Sequence, residues 1–294
     1  MSKKRLLLSF SGGETSAYMT QWCLNYWKDV YEMFVVFANT GDENEETLEF
    51  VKKCDDILEF NTVWVEADVR HGERKGTSHR IVNFETASRK AEPFEDVIKK
   101  YGIPNQAYPH CTRELKTAPI TSFVKKDLGW NDYYTAIGIR VDEVDRVDDK
   151  REEKKFIYPL AEYHRCTKQH INKYWSDMPF RLELKGYEGN CKACWKKSNR
   201  KLYTIANETP EAFDNFKMLE KKYEMKEKEG RSKEFPPPYR FYRDNRTVKE
   251  IIETAKKLEF TPAFDDSLDT SVQPDMFDEH LDVGFGCNES CEPF

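Results

Sequence analysis

Residues 4–20 read KRLLLSFSGGETSAYMT. A short apolar run (6–10) gives way to two glycines and then to a helical stretch over about 15–27. A buried strand, a tight turn and a helix start follow one another within a few residues. The same alternation continues downstream. MFVVFA (33–38) is a second buried-strand run, and TVWVEA (62–67) is a third. Between them, residues 45–58 place Leu48, Val51, Cys54 and Leu58 on one face of a helix. Strand–helix–strand order of this kind requires right-handed crossovers and a parallel sheet covered on both faces. The expected fold is α/β: a parallel twisted sheet of about five strands with helices on both faces, followed by a mainly helical C-terminal region.

Further along, residues 70–92 are rich in charge, Gly and Ser and read as a long loop over the sheet. Residues 93–101 and 119–128 read as helices, each begun by a proline, and 133–139 and 156–160 as the last strands. Thr167 is placed to cap a helix running to Trp175, 186–198 form a Gly- and Cys-containing knuckle, and 211–229 and 248–258 read as helices. This divides the chain into an α/β domain at 1–180, a Cys-containing helical region at 181–259 and an acidic irregular tail at 260–294.

The 294 residues are 34% charged and 38% hydrophobic, and no apolar run approaches the roughly 20 residues of a membrane span, so a soluble globular protein is expected. The basic, briefly apolar start lacks the length and cleavage site of a signal peptide. A cytoplasmic location is expected, where clustered cysteines serve metals or redox chemistry rather than disulfides. A net charge of -6 argues against bulk coating of nucleic acid, although Lys192, Lys196, Lys197, Arg200 and Lys201 make one basic stretch.

The Ser-Gly-Gly turn lies at the carboxyl end of the first strand, where open sheets bind ligands. Its glycines let the backbone approach an anion, and the following helix start offers N–H groups and a positive dipole end. Ser11, Thr15 and Ser16 add hydroxyls. The pattern is neither the Gly-x-x-x-x-Gly-Lys loop nor the dinucleotide Gly-x-Gly-x-x-Gly turn. A plain turn and helix cap is the competing explanation.

SFSGGETSAYM resembles the phosphate loop of the adenine-nucleotide α-hydrolase superfamily, written S-G-G-x-x-S. FANTGDENEETLEFV, HCTRELKTAP, IGIRVDEVDR and IYPLAEY resemble, in order, further segments of the phosphoadenosine-phosphosulfate (PAPS) reductase family, over most of residues 4–200. That family is common in bacteria and their viruses. The resemblance implies a HUP/Rossmann-like sheet and an enzyme binding ATP or PAPS. Ser9, Ser11, Gly12, Gly13, Thr15 and Ser16 would hold phosphates, with Asn39, Thr40, Gly41 and Gly138 bordering the nucleotide. Arg113, Lys116, Arg140 and Arg146 would meet anionic groups, Lys116 and Arg140 in catalytic roles. Asp142, Glu143 and Asp145 are either Mg²⁺ ligands or a solvated acidic loop.

Cys191-Lys192-Ala193-Cys194 is a C-x-x-C pair on a Gly-rich turn, a spacing that brings two thiolates onto one ion. With Cys111, it resembles the three-cysteine [4Fe–4S] site of nucleotide-dependent sulfur-transfer enzymes. The resemblance implies Cys111, Cys191 and Cys194 as cluster ligands. Zn²⁺ on the same thiolates, with His110, or a redox thiol pair are the alternatives. Cys287 is a candidate fourth ligand, and Cys291 a candidate nucleophile, although the tail lacks the Glu-Cys-Gly-x-His stretch of PAPS reductases. Cys23 and Cys54 fall on apolar helix faces and read as core. Cys166, between His164 and His170, reads as helix entry rather than a zinc site, and Trp195 is a candidate for stacking on a base.

Three functions remain open. One is α-phosphate cleavage of ATP, activating an oxygen for sulfur transfer or adenylation, with a nucleic-acid or small-molecule acceptor. The second is thiol-dependent reduction of PAPS or adenylyl sulfate. The third is a non-catalytic nucleotide-binding module. Thioredoxin or a cysteine desulfurase are the expected protein partners, homo-oligomerisation is open, and no membrane is involved.

Overall fold

The computed structural model describes residues 3–72, 76–226 and 236–271. Among these, the elements follow in the order β1 (Lys4–Ser9), α1 (Glu14–Tyr26), β2 (Tyr31–Asn39), α2 (Glu45–Leu58), β3 (Val63–Val69), β4 (Thr77–Val82) and α3 (Glu92–Tyr101). A π-helical turn (Arg113–Thr117) leads into α4 (Ala118–Lys126), then β5 (Tyr134–Ala136) and a 3₁₀ turn (Val141–Arg146). After these come α5 (Arg151–Lys154), β6 (Phe156–Ile157), α6 (Pro159–Glu162), α7 (Lys168–Asp177), α8 (Asn199–Glu208), α9 (Asp214–Tyr223) and α10 (Val248–Lys257).

The sheet runs β4-β3-β2-β1-β5-β6, parallel except for β4, which pairs antiparallel with β3. The strand order reverses beside β1, so the carboxyl ends of β1 and β5 open the crevice where such sheets bind ligands. Alternation along β1 builds both layers. Leu6 and Leu8 join Ala17, Phe37, Phe50, Val51 and Trp175 under α1, α2 and α7. Leu7 faces the other way, against Ile120, Phe123 and Val124 of α4. A third core joins Ala67, Val69 and Phe94 to Leu202, Phe216, Phe241 and Ile251, so the C-terminal helices pack beside β3 and α3.

The stretch expected to be a loop at 70–92 contains β4, an edge strand with little apolar alternation. Its sequence TSHRIV is held by polar partners instead: Arg80 Nε donates to Glu66 Oε2 at 2.9 Å and His79 meets Asp127 at 2.8 Å. The expected strands 133–139 and 156–160 are shorter, at Tyr134–Ala136 and Phe156–Ile157; the second stops where Pro159 begins α6. The expected 211–229 helix is a 3₁₀ turn (Pro210–Phe213) followed by α9, which already ends at Tyr223; residues 227–229 lie outside the described residues. The amphipathic α8, capped by Ser198, was not expected. Thr167 caps α7 in a capping box with His170.

Candidate functional site

The turn after β1 is shaped by its own hydroxyls. Ser16 Oγ donates to Gly13 O at 2.9 Å, lies 2.9 Å from Ser11 Oγ and accepts from Ser11 N at 3.2 Å. Gly12 has φ of +85°, and a Cβ there would stand 2.7 Å from Thr47 Cγ2, so only glycine fits. At Gly138, just beyond β5, a Cβ would stand 3.0 Å from Ser16 Cα. The small residue lets the two strand ends close around the start of α1.

Ser11, Gly13, Thr15, Ser16 and Gly138 line an open pocket together with Arg140, Arg146, Lys168 and Lys185. Arg140 is buried and held from several sides. Nη1 donates to Thr15 Oγ1 at 2.8 Å, and Nε donates to Asp142 Oδ1 at 3.0 Å. Glu143 takes Arg140 at 3.4 Å and also Arg146. In the acidic turn that is a candidate for Mg²⁺, Asp142 and Glu143 pair with these arginines, and Asp145 is exposed.

Two further residues secure the rim. The Glu14 carboxylate, in the first turn of α1, accepts from Arg181 Nε at 3.1 Å, Arg181 Nη2 at 3.0 Å and Leu182 N at 3.2 Å. Burial raises its pKa above the usual carboxylate value, with Arg181 opposing. Asn190 Nδ2 donates to Ser11 O, tying the knuckle to the loop.

That knuckle crosses the carboxyl end of β2. Glu43 and Cys191 form an antiparallel bridge, Asn44 N donates to Asn190 O at 3.1 Å, and Lys192 N donates to Asp42 O at 3.1 Å. On this side of the loop lies a second, largely apolar cavity. Cys111, Cys191 and Cys194 line it with Thr40, Asp42, Lys116, Phe94, Leu115, Trp195 and Phe216. Lys116 comes from the π-helical turn. Pro119 has no N–H to donate to Leu115 O, and the turn before it widens. Asp42 is wholly buried, and burial pushes its pKa up to about 7 against the hydrogen bond from Asn215. Glu43 is likewise raised by burial, with Lys116 opposing.

A family model for the phosphoadenosine phosphosulfate reductase domain matches residues 5–164, more than half of the chain, which takes in β2–β6 and the turn after β1 but not the knuckle. The chain belongs to the phosphoadenosine phosphosulfate reductase family. An uncharacterized nin region protein of Escherichia phage lambda is 34% identical over 203 residues, 67% of each chain. Two uncharacterized proteins of Methanocaldococcus jannaschii are each 26% identical, over 85% and 78% of this chain. The chain spans 55% and 44% of those archaeal proteins. Family membership makes this a nucleotide-binding enzyme of that class.

Several of the remaining residues marked in the sequence support this phosphoadenosine phosphosulfate reductase fold from behind the pockets. Ser9 and Asn39 are fully buried strand ends. Asn39 donates to Glu66 at 2.6 Å and accepts from Gly41 N at 3.1 Å, shaping the turn that carries Thr40 into the thiol cavity. Gly41 has φ of +83°, and a Cβ would meet Pro93 at 2.8 Å. Arg113 is exposed, pairs with Glu114 at 2.7 Å and lines neither cavity. The basic stretch 192–201 is partly turned inward: Lys197 and Lys201 are buried, and Lys197 donates to Cys191 O. Cys23, Cys54 and Cys166 are buried. His164 stacks on Trp22 and shares a hydrogen bond of 2.8 Å with the Tyr18 hydroxyl. Cys287 and Cys291 lie outside the described residues. Lys168, Lys185, Glu14, Asn190 and Asp42 escaped the sequence reading. Asn190 adjoins the C-x-x-C pair and Asp42 adjoins Thr40-Gly41, so adjacency was the available signal. No helix among the described residues is long and apolar enough to cross a membrane.

Proposed function

We propose that this chain cleaves ATP at the α-phosphate to activate an acceptor oxygen, and that sulfur delivered through the Cys111–Cys191–Cys194 cavity replaces that oxygen. The observation that carries this reading is that neighbouring residues of one knuckle border two sites, Asn190 the first and Cys191 the second. The first is a loop pocket shared with Arg140, Arg146 and Lys168, and the second a cavity lined by three cysteines.

Loop N–H groups and the α1 dipole would hold the phosphates, and the cations would offset charge on the leaving pyrophosphate. The acceptor oxygen attacks the α-phosphorus, the bond to the β-phosphate oxygen breaks, and pyrophosphate departs. The sulfur nucleophile then displaces AMP. Asp142 and Glu143 keep Arg140 and Arg146 extended until phosphate oxygens take their place. Mg²⁺ would arrive with the polyphosphate and add further charge compensation.

A [4Fe–4S] cluster or Zn²⁺ would draw its thiolates from Cys111, Cys191 and Cys194. Among the described residues, no three His, Cys, Asp or Glu side chains gather closely enough to hold a metal. Iron and sulfide analysis of anaerobically purified chain decides the point: stoichiometric amounts, lost on Cys191→Ser, would assign the cavity to a cluster.

The C-x-x-C pair favours a second reading. Its two thiols hold the two electrons needed to release sulfite from PAPS or adenylyl sulfate, becoming a disulfide that thioredoxin would reduce. The full chain should be incubated in parallel with ATP and Mg²⁺ plus a sulfide donor, and with PAPS plus a dithiol. Pyrophosphate release supports the first reading, and sulfite release replaces it with the second. Nucleotide binding with neither product leaves the non-catalytic module.

A further inference from the structure

Ser267 lines the pocket of Ser11, Thr15 and Arg140, beside Lys185 and Gly186. It belongs to a short strap, 265–269, that contains no helix or strand. Little apolar surface secures this strap: Phe264 is 54% exposed and Leu268 70%. Polar contacts hold it instead, and they come from residues around the pocket. Asn172 of α7, wholly buried, donates from Nδ2 to Asp266 O at 2.8 Å and to Asp269 O at 2.5 Å. Gly186 N donates to Asp265 Oδ1 at 2.8 Å, and Arg181 Nη2 donates to Ser267 O at 2.7 Å. At Gly186 a Cβ would stand 1.9 Å from Asp266 Oδ1, so the strap lies directly against the pocket wall.

Arg181 is the joint. The same Nη2 donates to Glu14 Oε2 at 3.0 Å, and Nε donates to Glu14 Oε1 at 3.1 Å. Its planar fork thus ties the first turn of α1 to the strap, a geometry that a lysine ammonium does not reproduce. Asp265 and Asp269 spend their carboxylates on the strap's own backbone, Asp265 accepting from Ser267 N at 3.1 Å and Asp269 from Ser271 N at 2.9 Å. From this we infer that the strap 265–269 is the outer wall of the nucleotide site, and that Arg181 is a positioning residue for polyphosphate binding, holding that wall against the loop. A seated wall keeps water from one side of the bound phosphates and so strengthens their pairing with the pocket cations. Arg181 and the strap lie beyond residues 5–164, outside the part matched by the family model. The inference rests on the nucleotide reading above and adds to it the residues that close the site.

The test is hydrogen exchange of the full chain, read by mass spectrometry on peptides spanning 263–271. It is run without ligand, with α,β-methylene ATP, with inorganic tripolyphosphate and with adenosine. The analogue and tripolyphosphate should each slow exchange in the strap severalfold, and adenosine, which has no phosphate, should not. Arg181→Lys keeps a charge beside Glu14 but loses the fork. It should bind the analogue about tenfold more weakly in calorimetric titration and lose the ligand-dependent protection of the strap. Strap exchange that is unchanged or faster when the analogue binds, equal protection by adenosine, or wild-type affinity and protection in a folded Arg181→Lys would overturn the inference. A merely structural Arg181 would give the last of these results, with only the urea midpoint lowered. The wild-type comparison stands even if the variant fails to fold. If the analogue binds and the strap does not respond, the wall assignment fails and the nucleotide reading survives. If neither the analogue nor tripolyphosphate binds, the function proposed above fails, and the strap's role with it.

Discussion

Arg140 Nη1 donates to Thr15 Oγ1 across 2.8 Å, which joins the chain beyond β5 to the first turn of α1. The same guanidinium meets Asp142 and Glu143. Arg140→Gln should therefore act twice. It leaves the buried Glu143 with one cation fewer, at a cost of about 3 kcal/mol, and it removes a charge from the phosphate pocket. Urea unfolding should report the first effect. Calorimetric titration with ATP should report the second as affinity weakened about tenfold or more. Unchanged ATP affinity in a folded variant would remove Arg140 from the site.

The two loop glycines should separate. Gly12→Ala puts a methyl 2.7 Å from Thr47 Cγ2 at a φ of +85°, and should cost about 1–3 kcal/mol. At Gly13 the backbone is extended and the nearest atom to a new Cβ is 3.8 Å away. Gly13→Ala should change stability by less than about 1 kcal/mol. Gly13 lines the pocket, so its methyl should still weaken ATP binding. Chemical denaturation and titration of both variants check the split.

Asp42 predicts a pH dependence. Its folded pKa is raised from 3.8 to about 7, chiefly by burial; Asn215, Lys192 and Lys197 oppose the shift and Glu43 adds to it. The folded state holds this proton more tightly than the unfolded state. The stabilising contribution is full below about pH 4 and is lost as pH rises toward 7, by up to about 4 kcal/mol. Asp42→Asn keeps the shape and should flatten the fall in unfolding free energy between pH 4 and 7 relative to wild type. Parallel curves for the two proteins would contradict the raised value.

Cysteine variants should divide the two pockets. Cys111, Cys191 and Cys194 line the thiol cavity and none lines the pocket of Ser11, Thr15 and Arg140. Cys111→Ser, Cys191→Ser and Cys194→Ser should each lose most sulfur-transfer turnover while binding ATP as wild type does. Cys54→Ser, in a buried core position, should instead lower stability. Loss of ATP binding in the three cavity variants would mean that the two pockets act as one.

Local signals were enough to read β1 to β3 and the helices between them. Leu6–Leu8 and the 45–58 face carry the periods of buried strand and amphipathic helix, and those periods follow from backbone geometry alone. β4 had no such signal, because His79, Arg80 and Ser78 are held by side chains on β3 and α4 that are remote in sequence. α8 was hidden beside the knuckle, where its Lys and Arg residues read as surface charge although Lys201 is buried.

By itself, the order of residues determined the Ser-Gly-Gly turn between β1 and α1, the family and the C-x-x-C pair, since each is carried by short motifs whose spacing is set by covalent geometry. Only the tertiary structure decided that Cys111 shares a cavity with Cys191 and Cys194, that Arg181 clamps Glu14, and that Asp42 is buried. Those relationships join residues from about 80 to nearly 170 positions apart, or depend on loss of water around one carboxylate. They arise from packing, and packing leaves no periodic trace in the chain.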